Sequence, residues 1–328
     1  MKKILCILLA ACLLLLFFTH PGTAASGCTL GLTLWYTAVL PSLLPFMILS
    51  NLMIATGIFR YLAPLYAPVL KRIFRISEDG CYAVLLGFLC GFPMGAKVIA
   101  DLVREKHISP EEGDYLLGFC NNVSPAFFLN YICLLKLSFP SVPWKLAALF
   151  YGIPLAYGLL TRPFYHFPHV SVRGGQTSRY PASGSSSMKK QASLHRLDFP
   201  MLDACIMDGF STITRLGGYI MLFTILVQFL RLLPLSASAL AFLSALLEIS
   251  CGADQTAALS TLPDVYRAAF VCTGAAFGGL CICAQTQSVL TGTPLSVGTW
   301  LKGRVVIALA VFLLTPLAAA APVLPGCW

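Results

Sequence analysis

The chain has 328 residues, 58% hydrophobic and 11% charged, with a formal net charge of +9 and a mean hydropathy of +0.81. Soluble domains carry roughly 25% charged residues, so an ordinary soluble globular protein is excluded. Most of the positive charge sits in short loops, which makes it topology information and argues against nucleic acid as a partner.

Thirteen cysteines lie mostly inside apolar runs, among them Cys90, Cys120, Cys133, Cys272, Cys281 and Cys283. No pair has Cys-x-x-Cys spacing, and the five histidines form no ligand motif with them. They read as small buried apolar residues. No metal and no cofactor is expected.

Lys2 and Lys3 precede the apolar run Ile4–Phe18. Residues 1–25 are therefore an N-terminal anchor helix or a signal peptide, with Thr23-Ala24-Ala25 as a cleavage site. Residues 29–58 form a long apolar segment with Trp35, Pro41 and Pro45, which spans with tilt or a kink. The basic stretch 60–75, with Arg60, Lys71, Arg72 and Arg75, predicts an amphipathic helix on the membrane surface.

Residues 87–97 break the apolar pattern with Gly87, Gly91, Pro93, Gly95 and Lys97. Glycine and proline disfavour a continuous membrane helix, and a charge deep in hydrocarbon is costly. Broken backbone at that depth is tolerated only where protein or a water-filled cavity satisfies it. If 80–100 crossed the membrane, Arg104, Lys106, His107 and the basic loop 162–198 would all lie outside, against the positive-inside rule. A re-entrant hairpin over 80–100 keeps them cytoplasmic.

Ser109-Pro110-Glu111-Glu112 is a capping box with Pro at the first helical position. The helix it starts is interrupted by Cys120-Asn121-Asn122-Val123-Ser124-Pro125 and resumes through Phe127–Leu137. Residues 144–161 then return the chain to the inside. Residues 162–200, rich in Ser, Gly, Pro and basic side chains, predict a flexible cytoplasmic linker.

The second half repeats the plan. A long helix over 201–232 precedes a second hairpin, 237–262, broken near Glu248 to Gln255. A span over 264–290 holds Gly278-Gly279, Gln285, Thr286 and Gln287. Lys302 and Arg304 mark the inside, and 303–321 exits. The predicted fold is an all-α polytopic membrane protein of two inverted-topology repeats, 28–161 and 201–322. Each has a re-entrant helical hairpin and about three spanning helices, and an N-terminal hydrophobic helix precedes them. Transporters of this plan bind substrate near the midplane, where the broken elements meet.

Trp35, Pro41-Ser42-Leu43-Leu44-Pro45-Phe46, Gly91-Phe92-Pro93-Met94-Gly95-Ala96-Lys97 and Asn121 through Pro125 resemble the YlbJ-type sporulation integral membrane proteins of the nucleoside-recognition Gate group. Gly278-Gly279-Leu280 followed by Gln285 is similar to that family's second-half signature. The family pattern has Tyr where Phe92 stands. The resemblance implies an endospore former, with dipicolinate passing the outer forespore membrane, and kinship with nucleoside transporters.

The candidate substrate-binding residues are Gly91, Pro93, Gly95, Lys97, Asn121, Asn122, Ser124, Gln285 and Gln287. Lys97 follows the expected start of a helix, where free N–H groups and a lysine together attract an anion. Its other use is an ion pair with Asp101 one turn on. The two asparagines and Ser124 supply donors and acceptors at a helix break, or bond neighbouring helices. Glu248 is the candidate for a coupling proton. No catalytic motif occurs, neither His-Glu-x-x-His, Gly-x-Ser-x-Gly nor a phosphate loop, so no enzyme is expected. The expected role is membrane transport of a small anionic metabolite. The alternatives are a nucleoside or other small-metabolite carrier, and a non-transporting assembly or signalling protein. The partners are the bilayer and the small anion, and a homo-oligomer is compatible with both.

Overall fold

A computed structural model describes residues 2–56, 58–138, 143–167 and 198–320. Among these every regular element is a helix. The predicted linker, 162–200, falls mostly on residues 168–197, outside the described residues, as do 321 and 322.

Helix α1 (Lys2–Thr19) is followed after His20 by α2 (Pro21–Leu34), a π-helical turn (Trp35–Val39) and α3 (Leu40–Thr56). The chain bends by 101° between α1 and α2. Pro21 is the cause: a residue before proline is pushed out of the helical region, and His20 has φ −131° and ψ 58°. The helical segment thus starts eight residues before the expected 29. Helix α4 (Phe59–Phe74) ends in a left-handed Arg75. It buries Ala63, Ala67 and Phe74 and leaves Leu65, Val69 and Ile73 exposed.

Helices α5 (Glu78–Leu89) and α6 (Met94–Arg104) pack together around a tight turn at 90–93. Helix α7 (Pro110–Cys120) stops at Asn121, and a π-helical segment, Phe127–Lys136, continues after the break. Helix α8 is Trp144–Thr161. The second half runs α9 (Phe199–Leu230), α10 (Ala237–Leu247), α11 (Ile249–Ala257), α12 (Asp264–Phe277), α13 (Gly279–Leu290) and α14 (Val297–Ala320).

The starts are fixed by caps that answer the orphan N–H groups of a first turn. Ser77 Oγ accepts from Gly80 N at 2.9 Å, Ser109 Oγ from Glu112 N at 3.2 Å, and the Asp198 carboxylate from Met201 N at 2.9 Å. The Glu112 carboxylate also accepts from Ser77 N at 2.7 Å, which ties α7 to the start of α5.

The segment α2–α3 packs along α9 in opposite directions. A Cβ on Gly27 would stand 2.6 Å from Ile225 Cα, and one on Gly31 2.6 Å from Met221 Cα. Further along, Trp35 Nε1 donates to Ile213 O at 2.9 Å and Asn51 Nδ2 to Cys205 O at 3.2 Å. Rising numbers on one helix meet falling numbers on the other, so the pair is antiparallel. Glycine is required at 27 and 31 because the two backbones touch.

Among the described residues three helical stretches are long and apolar enough to cross a membrane: Phe199–Leu230, Asp264–Leu290, which is broken at Gly278, and Val297–Ala318. All three belong to the second half. About three such helices were expected in each half. Among the described residues of the first half, the π-turn at 35–39 and the break at 121–124 interrupt the corresponding segments, and α1 with α2 forms a bent pair.

One boundary marker is corrected. Lys302 is exposed, but Arg304 does not mark a surface: it is 1% exposed. Gly303 allows this. A Cβ there would lie 2.3 Å from Gly118 O, so α14 presses against α7 and carries Arg304 into the interior.

Candidate substrate cavity

The turn joining α5 to α6 contains Gly91, at φ 84°, and a cis Phe92–Pro93 peptide bond. A Cβ on Gly91 would be 2.6 Å from Ser124 N. The first hairpin tip therefore rests on the break after α7. The second half has the same relation: a Cβ on Gly279 would be 3.1 Å from Leu247 O, at the tip between α10 and α11. Gly278 and Gly279 both take left-handed backbone, φ 88° and 75°, and this makes the break between α12 and α13. The first tip also approaches the second break, because a Cβ on Gly278 would be 3.3 Å from Phe92 Cζ.

A cavity of about 80 Å³ lies where these four features meet. Its wall includes Gly91 and Phe92 from one tip, Glu248 and Ser250 from the other, Ser124 from one break and Gln285 beyond the other. Leu34, Ala38 and Leu43 of the α2–α3 segment and Ile220 of α9 supply much of its apolar surface. No signal in the sequence separates these aliphatic residues from their neighbours.

Four helix starts surround the cavity. Phe92 precedes α6, and Ser124 Oγ accepts from Phe127 N at 3.2 Å at the head of the π-helical segment. Glu248 caps α11, its carboxylate accepting from Cys251 N at 2.8 Å. Ile282 and Gln285 stand in the first two turns of α13. A helix start carries roughly +0.5 of a charge, so the cavity sits among positive backbone ends.

The structure brings four of the sequence-predicted residues onto the cavity wall: Gly91, Ser124, Glu248 and Gln285. Gln285 is buried, and its amide Nε2 donates to Cys281 Sγ at 3.2 Å. Pro93 occupies the N-cap position of α6. Gly95 is a packing contact, since a Cβ there would be 2.6 Å from Cys120 O. Asn121 is fully buried and joins the halves: its Oδ1 accepts from Ala96 N at 3.3 Å and its Nδ2 donates to Thr286 Oγ1 at 3.2 Å. Asn122 donates to Phe119 O at 2.7 Å and accepts from Arg304 at 2.7 Å. Gln287 is exposed on the opposite face of α13.

Lys97 is buried one turn into α6, away from the cavity-lining residues. Its Nζ lies 2.9 Å from Asp101 Oδ2, from Asp208 Oδ2 and from Asn51 Oδ1. Arg104 completes the group: NH1 is 2.6 Å from Asp101 Oδ1, and NH2 donates to Thr291 O at 3.0 Å. Two cations face two carboxylates, so the cluster is neutral. The Asp101 contact was legible at i,i+4 spacing. Asp208 and Asn51 arrive from α9 and α3, which no local pattern could announce.

A second tie lies at the other end of the hairpin system. Lys136, at the end of the π-helical segment, pairs with Asp254 of α11. Tyr131 OH donates to Ser250 O at 3.4 Å beside it.

No protein-family model matches the chain, and no solved structure matches it. Among curated proteins it is 30% identical over 246 residues to the sporulation integral membrane protein YlbJ of Bacillus subtilis strain 168. The alignment takes in 72% of this chain and 59% of that relative, so the chain spans less than two thirds of its length. With three helices apolar and long enough to cross a bilayer, the likeness makes this chain an integral membrane protein.

Proposed function

We propose that this chain, which belongs to the YlbJ-type family of sporulation integral membrane proteins, moves a small anionic metabolite across a membrane during sporulation. The cargo is dipicolinate and the membrane is the outer forespore membrane. The supporting observation is the meeting of two hairpin tips and two helix breaks at one cavity. Broken helices whose positive ends converge at mid-depth are how transporters hold anionic groups. No catalytic step is assigned.

The chain is proposed to be two inverted repeats, 28–161 with hairpin 80–100 and 201–322 with hairpin 237–262. The order of elements supports this. Each half runs long helix, helix pair, broken helix, terminal helix, with α4 as an addition in the first half. The packing is also reciprocal. Helix α6 of the first hairpin packs on α13, after the second break, and α11 of the second hairpin packs on the π-helical segment after the first break.

The cavity, at about 80 Å³, is smaller than the roughly 150 Å³ that admits a benzene ring. A pyridine dicarboxylate therefore occupies it only in part unless the cavity widens. Glu248 is the one carboxylate on the described cavity wall. A proton on Glu248 would remove its repulsion for the cargo, which gives it the coupling role.

The same wall favours a second function. It carries Ser124, Ser250, Gln285 and one acid, with no lysine or arginine, which suits a neutral polar cargo such as a nucleoside. Uptake into vesicles holding the purified protein separates the two. Accumulation of dipicolinate and not of nucleosides is expected. Nucleoside uptake alone would replace the first function by the second, and uptake of neither would remove both.

A further inference from the structure

We propose that Arg304 and Trp300 form a buried anion subsite behind Phe92, which takes one carboxylate of the transported metabolite. This rests on the anion-carrier function above and supplies the cation that the cavity wall lacks.

Trp300 and Arg304 stand four residues apart, on one face of α14. Trp300 is fully buried and Arg304 is 1% exposed. Arg304 donates to Asn122 Oδ1 at 2.7 Å and to Gly118 O at 3.4 Å. Its Nε has no hydrogen-bond partner among the described residues, and neither has Trp300 Nε1. Unanswered donors that deep are uncommon, and each costs free energy until an acceptor meets it.

The charge balance points the same way. Burying an unpaired ion is expensive, and buried charges normally have partners. Lys97 has two carboxylates within 2.9 Å. Arg304 has none within ion-pair distance among the described residues; its acceptors are one amide oxygen and one carbonyl. The C-terminal end of α7 supplies roughly half a negative charge, which leaves the guanidinium incompletely answered. Of the buried cations described, Arg304 is the one left to meet an incoming anion.

The pair also adjoins the cavity. The Phe92 ring lies edge-on to Trp300, with centroids 6.2 Å apart and planes at 82°, and Phe92 is itself part of the cavity wall. An anion passing from the cavity to Trp300 must displace the Phe92 ring. An anion there meets a guanidinium N–H and an indole N–H, and charge-assisted bonds of this kind are the strong ones.

The test uses the full chain, purified and titrated with pyridine-2,6-dicarboxylate and with the neutral pyridine-2,6-dicarboxamide. Arg304→Gln should weaken the diacid roughly tenfold or more, and Trp300→Phe, which removes one donor and keeps the ring, about threefold or more. Arg304→Lys should fall between wild type and Arg304→Gln, because it keeps the charge and loses the fork. Any affinity for the diamide should be unchanged in all three. Diacid binding within about twofold of wild type in both Arg304→Gln and Trp300→Phe overturns the subsite and leaves the anion carrier standing. If Arg304→Gln does not fold, Trp300→Phe decides alone. If the wild type binds no diacid, the carrier function fails, and thermal stabilisation by bromide decides the subsite. Stabilisation that is lost in Trp300→Phe sustains the subsite, and none in wild type removes it.

Discussion

The Lys97 ammonium lies 2.9 Å from the Asp208 carboxylate, joining the second arm of the first hairpin to the long helix of the other half. This pair, with Asp101 and Asn51 around the same nitrogen, turns a lysine in an apolar stretch into a cross-link. Removing one member of such a group strands the others. Lys97→Met should lower stability by about 3–5 kcal/mol, and Asp208→Asn by less, because Asp208 is partly exposed and Lys97 keeps Asp101. The double variant should cost less than the sum. Melting curves in detergent measure all three, and strictly additive losses would show that the contact contributes nothing.

Gly303 sets a second expectation. A methyl group there would meet Gly118 O at 2.3 Å. Gly303→Ala must push α14 off α7 and should cost about 1–3 kcal/mol, as overpacking does. Gly298→Ala in the same helix, where a Cβ meets only Ser296 Oγ at 3.2 Å, should cost clearly less. Equal losses in thermal stability would contradict the close approach.

Membrane placement of the first hairpin is open to direct labelling. Cysteines placed at Glu78 and Glu105, on a background in which the exposed Cys12 and Cys28 are replaced, should react from the same side of sealed vesicles. Reaction from opposite sides would make 80–100 a span.

The proton role of Glu248 predicts a sign. Dipicolinate uptake should rise as the pH falls, since protonation removes a carboxylate from the cavity wall. Glu248→Gln should transport with little pH dependence. A wild-type profile kept intact in that variant would take the coupling role away.

Deleting much of 168–197 should leave uptake within about twofold, because the described wall of the proposed cavity is built from other segments. Loss of function with normal membrane insertion would favour an assembly or signalling role for the basic loop.

Composition and breaker residues made the helical membrane architecture legible. Gly91 and Ser124 announced their turns because glycine and small polar groups have few other uses in an apolar run, whereas the break at Gly278-Gly279 fell inside a stretch read as one span. Glu248 and Gln285 were legible for the same reason. Lys97 was found, yet its partners were not, since Asp208 lies 111 positions away in a separate helix. Arg304 was misplaced for a related reason. A positive charge near a helix start looks like a boundary marker, and only the contact of Gly303 with Gly118 reveals that this one is interior.

Asn121 holds Ala96 with one end of its amide and Thr286 with the other. Together with the Lys97–Asp208 and Lys136–Asp254 pairs, it places polar fastenings at intervals along a mostly apolar seam. Apolar surfaces can slide past one another with little change in buried area, whereas each fastening holds at one position only. The seam is therefore indexed. A hairpin that shifts along it must release these bonds together and can rest only where new partners wait, which favours a small number of discrete positions over continuous drift.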